Sequence, residues 1–302
     1  MTIELIGVPF DGFGRRGHQA RAAAALRDAG LERAFGAREV VSQPDLALPD
    51  PDPGRADRSG IMNERALLVM VDVLNQRVCQ ALGGGRFPVV YGGDCTVLLG
   101  TVTALRDVAS VAGLVFIDGH EDSTPLDVST DGEAANMEIG LLLGITGQLA
   151  PASLRRRLPA LSHKALAMLG PRDQALRQGA NLGTLAQSGA FARSPEMIAA
   201  DPLQAATEAI DHIRARAPDW WLHVDLDVLR QDILVAQRVP GDHDEPGGLD
   251  WAQLTQLVSA AIDADGIRGM SLTIYDPEQD PDGHEAGRIV DFIAAAASHL
   301  PG

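Results

Sequence analysis

Short runs of aliphatic and β-branched residues recur along this chain, separated by alanine-rich segments whose apolar positions repeat every three to four residues. The runs predict strands near 3–8, 87–91, 113–118, 165–170, 220–226 and 267–275. The segments between them predict helices near 19–29, 61–82, 96–108, 152–157, 195–216, 249–263 and 284–299. This alternation is the pattern of a mostly parallel α/β sheet covered by helices on both faces. Ser194 and Pro195 mark the start of the 195–216 helix as N-cap and first helical residue. Residues just after the Pro-Gly-Gly at 246–248 can cap the 249–263 helix. The stretch "PDLALPDPDPGRADRSG" (44–60) is too rich in proline and aspartate for a regular element and reads as a surface loop. No internal repeat or linker divides the pattern, so residues 1–302 are expected to form a single domain.

Composition narrows the partners. The chain is 45% hydrophobic and 22% charged over 302 residues, enough to bury a large core. A net charge of −16 and a pI near 4.8 repel phosphate backbones and anionic lipid, so neither nucleic acid nor a membrane surface is expected as a partner. A cationic or zwitterionic small-molecule substrate fits better. Two cysteines, Cys79 and Cys95, cannot build a disulfide framework, and the N-terminus has no basic stretch leading into a long apolar one. No run approaches the roughly 20 apolar residues that span a bilayer. These features point to a cytoplasmic, reduced protein, with Cys79 in "VLNQRVCQAL" read as a core residue on a helix.

The chemistry gathers where three of the strands run out. Gly92, Gly93, Asp94 and Cys95 follow the 87–91 run. In "FIDGHED" (116–122) Asp118, His120 and Asp122 fall at every second position, and in "WLHVDLDVL" (221–229) Asp225 and Asp227 do the same. A period of two projects such residues to one side of an extended chain, and open α/β sheets bind ligands at the carboxyl ends of their strands. Four aspartates meeting there repel one another, and "FIDGHEDST" holds no Lys or Arg to neutralise them. Divalent metal resolves the repulsion. One carboxylate can bridge two ions, and a pair of ions about 3.5–4 Å apart makes hydroxide from water at neutral pH. A single Asp-x-Asp is ordinarily a turn or a solvated strand end; three such groups, each behind an apolar strand, indicate a metal site. Cys95 alone would read as a small buried hydrophobe, but its place behind Gly-Gly-Asp puts it among the ligands.

Taken in order, these segments resemble the arginase/agmatinase (ureohydrolase) family. "GVPFDGFGRRG" near the N-terminus, "GGDC", "DGHED", "HVDLDVL" and "PGGL" (246–249) carry the likeness over nearly the whole chain. The family patterns are Gly-Gly-Asp-His, Asp-Ala-His-x-Asp and Ser-x-Asp-x-Asp. The resemblance implies an arginase/deacetylase-like fold, a three-layer α/β/α sandwich on a mostly parallel, about eight-stranded sheet. It also implies two manganese ions per chain, hydrolysis of a guanidine or amidine C–N bond, and a homo-oligomer. Carried over by motif, Cys95, Asp118, Asp122 and Asp225 hold one ion and Asp118, His120, Asp225 and Asp227 the other, with Asp118 and Asp225 bridging. Cys95 stands where the family places a metal-binding histidine. A branch of the family with cysteine there includes a hydrolase of hydroxylated guanidines in antibiotic biosynthesis. A thiolate suits Zn²⁺, Fe²⁺ or Co²⁺ better than Mn²⁺.

Departures from the family pattern bear on substrate. The guanidinium-anchoring glutamate of the family lies in a Glu-x-Asn-Pro segment, where "SLTIYDPEQDPDG" (271–283) offers Thr273 and Ile274, and a guanidinium loses its charged partner. The proton-shuttle histidine of a His-Gly-x-Pro segment is replaced by Ala135 in "GEAANMEIG" (132–140). "QALRQG" after "GPRD" (170–173) supplies no carboxylate for an α-amino group. Ordinary arginine hydrolysis is therefore not expected. Glu133, Asn136 and Glu138, in the loop matching the lost histidine, and Glu278 are the polar residues expected to face substrate. His223, in the family's serine position beside Asp225, is the first expectation for a shuttle, ahead of His243 and His284. Asp122 is expected to orient the attacking water and relay its proton. Two readings stay open: a metal-dependent C–N hydrolase, or a protein that keeps the fold, has lost catalysis and serves a binding or scaffold role.

Overall fold

The computed structural model describes residues 1–145, 149–237 and 245–300. Eight strands lie in one sheet: β1 (Ile3–Gly7), β2 (Val40–Ser42), β3 (Phe87–Tyr91), β4 (Gly113–Ile117), β5 (Leu166–Leu169), β6 (Phe191–Arg193), β7 (Trp220–Asp225) and β8 (Ile267–Thr273). Their spatial order is β2-β1-β3-β8-β7-β4-β5-β6, and every pairing is parallel. The helices are α1 (Ala22–Asp28), α2 (Glu64–Gly83), α3 (Val97–Ala109), α4 (Glu138–Leu143), α5 (Ala152–Arg155), α6 (Gln174–Gly179), α7 (Pro195–Ala200), α8 (Pro202–Arg214), α9 (Trp251–Ile262) and α10 (His284–Ala297). Among the described residues no helix is long and apolar enough to cross a membrane.

Period-two alternation splits the core into two layers. Val115 and Ile117 of β4 pack with Ile198, Ala209, Leu257 and Ile293 from α7–α10, while Leu114 and Phe116 pack with Leu74, Leu99 and Leu141 from α2–α4. Each large side chain fully buried this way contributes about 1.5–3 kcal/mol. A one-residue slip of β4 would exchange both sets at once, so the register is tightly held. The result is the expected three-layer α/β/α sandwich.

Local chemistry sets the element ends. Asp250 caps α9, accepting from Gln253 N at 2.8 Å while the Gln253 side chain accepts from Asp250 N, a reciprocal capping box. The helix expected over 195–216 is broken in two. Asp201 precedes Pro202, a position that disfavours helical backbone, and it takes φ −157° and becomes the N-cap of α8 instead. Ser194 does precede α7 with Pro195 at its first position, but its side chain makes no capping bond. Two strands, β2 and β6, were not expected; they are three residues each and lie at the two edges of the sheet. Residues 44–60 contain no helix or strand. Cys79 is only partly buried against the α2–α3 layer, with its thiol 3.7 Å from Ala104 O.

Candidate metal centre

Three strands from the sheet's middle, β3 on one side of β8 and β7 and β4 on the other, deliver the polar residues to their shared carboxyl end. After β3 the chain turns through Gly92 and Gly93, at φ +83° and +71°. A Cβ on Gly92 would lie 2.7 Å from Ala23 N, so only glycine lets α1 approach the turn. Asp94 then ties the turn down, accepting from Gly12 N (2.8 Å), Thr96 N (3.1 Å) and the Thr96 hydroxyl. Burial pushes the Asp94 carboxyl up to about 6. Next to it Cys95 is buried, with Sγ 3.1 Å from Ala135 O.

From β4 come Asp118, His120 and Asp122; from β7 come Asp225 and Asp227. Asp118 Oδ1 accepts from His120 N at 2.7 Å, and Asp225 Oδ1 accepts from Asp227 N at 2.9 Å. Asp227 bridges the two strands, accepting from Gly119 N (2.9 Å) and facing His120 Nδ1 (2.9 Å). Asp122 is held at φ +40°, a left-handed conformation that Asp tolerates better than most side chains. Ligand atoms lie within 4.8 Å of one another in three groups: Asp118, His120 and Asp122; Asp118, His223 and Asp225; and Cys95, Asp122 and Glu138.

The electrostatics divide the residues. Burial pushes Asp118, Asp122, Asp225 and Glu138 well above the usual carboxylate range, and acidic neighbours push the same way. Burial, then Glu138, Asp122 and Asp225, raise the Cys95 thiol likewise. Although burial opposes both, His120 and Asp227 hold each other charged: Asp227 lies well below its usual range, helped by Arg172, and His120 well above. Asp118 Oδ2 and both Glu138 oxygens are buried without a hydrogen-bond partner. Buried carboxylate oxygens without donors are costly, and coordination to a cation relieves that cost. Thiolate, imidazole and clustered carboxylates are donors that divalent transition metals accept, so the residues fit a metal.

The other expected residues are less uniformly placed. His223 is fully enclosed: Nδ1 is 2.7 Å from Ser271 Oγ, Nε2 is 3.4 Å from Thr273 Oγ1, and the ring stacks on Phe116 at 5.4 Å. Burial lowers it to about 3. Thr273 donates to Asp225 Oδ2 at 3.1 Å, and Ile274 takes φ +61°, an outlier for a β-branched residue. Glu133 and Asn136 are half-buried and touch each other (3.4 Å). Glu138 is not in a loop: it opens α4 and is fully buried. Glu278 is exposed and accepts from His18 N at 3.1 Å. His284 is exposed at the start of α10, and His243 lies outside the described residues.

Sequence reasoning did not single out two neighbours. Glu245 receives His120 Nε2 at 3.0 Å, fixing the ring from its far side. Arg172, its side chain largely enclosed, donates to Asp227 O at 2.7 Å and lies 3.7 Å from Glu245. Arg172 sits in the quoted "GPRD", and Glu245 directly precedes "PGGL".

The sequence profile of the arginase family matches residues 1–298. The chain belongs to the arginase family. It is 33% identical over 124 residues to the arginase of Saccharomyces cerevisiae, a match covering 40% of this chain and 36% of that one. The fold resembles the crystal structure of Bacillus subtilis arginase, with a TM-score of 0.82, 21% identity and 98% of each chain covered. It also resembles formimidoylglutamase from the same species, with a TM-score of 0.73, 17% identity, and 100% of this chain and 88% of that one covered. Across this arginase-family fold, the acidic strand ends of β4 and β7 and the Gly-Gly-Asp-Cys turn after β3 form one cluster.

Proposed function

We propose that the protein is a metal-dependent hydrolase of a carbon–nitrogen bond in a small guanidino, hydroxyguanidino or amidino compound. The observation that carries this reading is the convergence of Cys95, Asp118, His120, Asp122 and Asp225 in linked groups, with Asp227 paired to His120 and an orphaned oxygen on Asp118, in an arginase-family chain. In this reading Cys95, Asp118, Asp122 and Asp225 hold one ion and Asp118, His120, Asp225 and Asp227 the other. Bound divalent ions there supply a lowered pKa for water and an electrophile for developing negative charge. Asp122 is proposed to hold the proton of the attacking water and to release it to the departing nitrogen. Glu245 and Arg172 fix His120 and Asp227 from outside. His223, neutral at ordinary pH and closed off between Ser271, Thr273 and Phe116, suits a positioning residue for Asp225 better than a relay to solvent.

The substrate differs from arginine in this reading. Thr273 is committed to Asp225, and Ile274 offers only hydrocarbon, so neither anchors a guanidinium. Glu133, Asn136 and Glu278 remain proposed substrate contacts, and a homo-oligomer acting in the cytoplasm belongs to the same reading. The two lost polar positions, Ala135 and Ile274, favour the second reading, a scaffold or binding protein on this fold. Release of ammonia, urea or formamide from a panel of amidino, hydroxyguanidino and formimidoyl compounds separates them. Turnover that Asp225→Ala abolishes supports the hydrolase; a metal-loaded protein inert to the whole panel supports the scaffold.

A further inference from the structure

We propose that Glu138 is a ligand of the ion held by Cys95 and Asp122, not a contact for substrate. The inference rests on the metal-dependent reading above. The backbone couples the two carboxylates: Ile139 N and Gly140 N, at the start of α4, donate to Asp122 O at 3.0 and 3.2 Å. That reversal sets Glu138 beside Asp122, while Ala135 O, in the turn just before α4, sits against Cys95 Sγ at 3.1 Å. One ligand atom from each of Cys95, Asp122 and Glu138 then falls within 4.8 Å of the others. Atoms so spaced can share an ion through bonds of about 2.0–2.3 Å.

Glu138 is enclosed beside the Asp122 carboxyl and its own backbone N–H, and neither contact has the geometry of a good hydrogen bond. It is 0% exposed, and neither carboxylate oxygen has a hydrogen-bond partner. A residue that met substrate would line an accessible path; this one has no exposed surface. A carboxylate enclosed without a donor is among the costliest groups a core can keep, and an ion at the point facing Cys95 and Asp122 supplies what it lacks. The ligand set at this ion is then thiolate and carboxylates throughout, with no imidazole.

The test needs no substrate. Metal-stripped wild type, Glu138→Gln and Glu138→Asp are titrated with Mn²⁺ and with Zn²⁺ by calorimetry, and bound metal is counted after gel filtration. Wild type is expected to hold two ions and Glu138→Gln one. The affinity lost should exceed the roughly 10–100-fold that removal of an outer-shell partner costs, with Glu138→Asp intermediate. The thiolate-to-metal absorption of the Co²⁺-loaded protein should disappear in Glu138→Gln, because the ion that engages Cys95 is the one lost. Two ions at wild-type affinity and an unchanged cobalt spectrum in Glu138→Gln overturn the inference alone. A wild type that binds no divalent ion overturns both the inference and the hydrolase reading. If Glu138→Gln fails to fold, Glu138→Asp decides: unchanged stoichiometry and affinity there refute the ligand role.

Discussion

Gly119 separates Asp118 from His120, where the family pattern carries alanine, yet alanine here should be harmful. A Cβ on Gly119 would come 2.9 Å from Arg172 Cζ and 3.0 Å from Asp227 Oδ1, and closer still to Arg172 Nη1. Unstrained carbon–carbon contact begins near about 3.5 Å, so the guanidinium must retreat by about 0.6 Å or more. It has little freedom to do so. Its side chain is 7% exposed, Nη2 is bonded to Asp227 O at 2.7 Å, and Arg172 N donates to Gly119 O at 2.8 Å. Overpacking of this kind costs about 1–3 kcal/mol, offset by roughly 0.4–1 kcal/mol because alanine restricts the unfolded chain. The net loss spans about 0–2.6 kcal/mol and centres near about 1.3 kcal/mol. At about 2 °C per kcal/mol for a chain of this size, Gly119→Ala should melt about 2–3 °C below wild type and at most about 5 °C below. Asp227 is pressed by the same methyl, so the ion assigned to His120 and Asp227 should weaken about tenfold or more. Differential scanning calorimetry with and without metal measures the first effect and isothermal titration the second. On an Arg172→Ala background the clash with the guanidinium is gone and only the 3.0 Å approach to Asp227 Oδ1 remains, so Gly119→Ala should cost clearly less stability there. Equal losses in both backgrounds, or a Gly119→Ala protein with wild-type stability and metal affinity, would refute the steric account.

Chelation should lower the melting temperature, since ions that bind only the folded state stabilise it by mass action; Asp225→Ala, assigned to both ions, should lose most of that response, and identical melting of both proteins with and without chelator would contradict the ligand set. Urea release from arginine and agmatine should be negligible with either Mn²⁺ or Zn²⁺, and robust turnover would show that another acid replaces the anchor absent at Thr273 and Ile274. For the metal-stripped protein, the raised groups Asp118, Asp122, Asp225, Glu138 and His120 bind more protons folded than unfolded. Their stabilisation is complete below the unfolded pKa values and is lost as pH climbs through the folded ones. His223 works the other way, but between about 3 and its ordinary value, so its contribution is complete by neutrality. The stripped protein should therefore melt lower at about pH 9 than at pH 7, a slope that bound metal largely removes because ligands are then already deprotonated; a flat or rising profile would count against the burial of these groups.

The long strands and the site's main ligands were legible because each announces itself locally. Val89, Val115, Leu222 and their neighbours sit in apolar runs, and the acids follow those runs at a period of two. The edge strands β2 and β6 give no such signal: three residues, all at least partly exposed, carry too little apolar pattern. Asp201-Pro202 was readable as a break, but the amphipathic residues on either side hid it. Glu138 is expected from the sequence to face substrate from a loop, and its burial at the start of α4 was not legible for a different reason. Six residues, "EIGLLL", are too short to declare a helix, and a glutamate becomes buried only when the chain after β4 folds back over Cys95. The contacts of Arg172 with Asp227 and of Glu245 with His120 join residues 55 and 125 positions apart, a separation at which composition and periodicity carry no information.

The strand order has a consequence for how the molecule is made. β8, the last strand synthesised, is the one that sits between β3 and β7. A chain emerging from the ribosome can assemble β2-β1-β3 and β7-β4-β5-β6 as two half-sheets, but each must wait with a bare interior edge until residues 267–273 arrive. Bare edges of that kind invite pairing with other chains. Cys95 belongs to one half-sheet and Asp118 and Asp225 to the other, so full metal loading reports completion of the final seam. Truncation before residue 267 would then leave not a shortened protein but two mutually unregistered halves, with aggregation as their common fate.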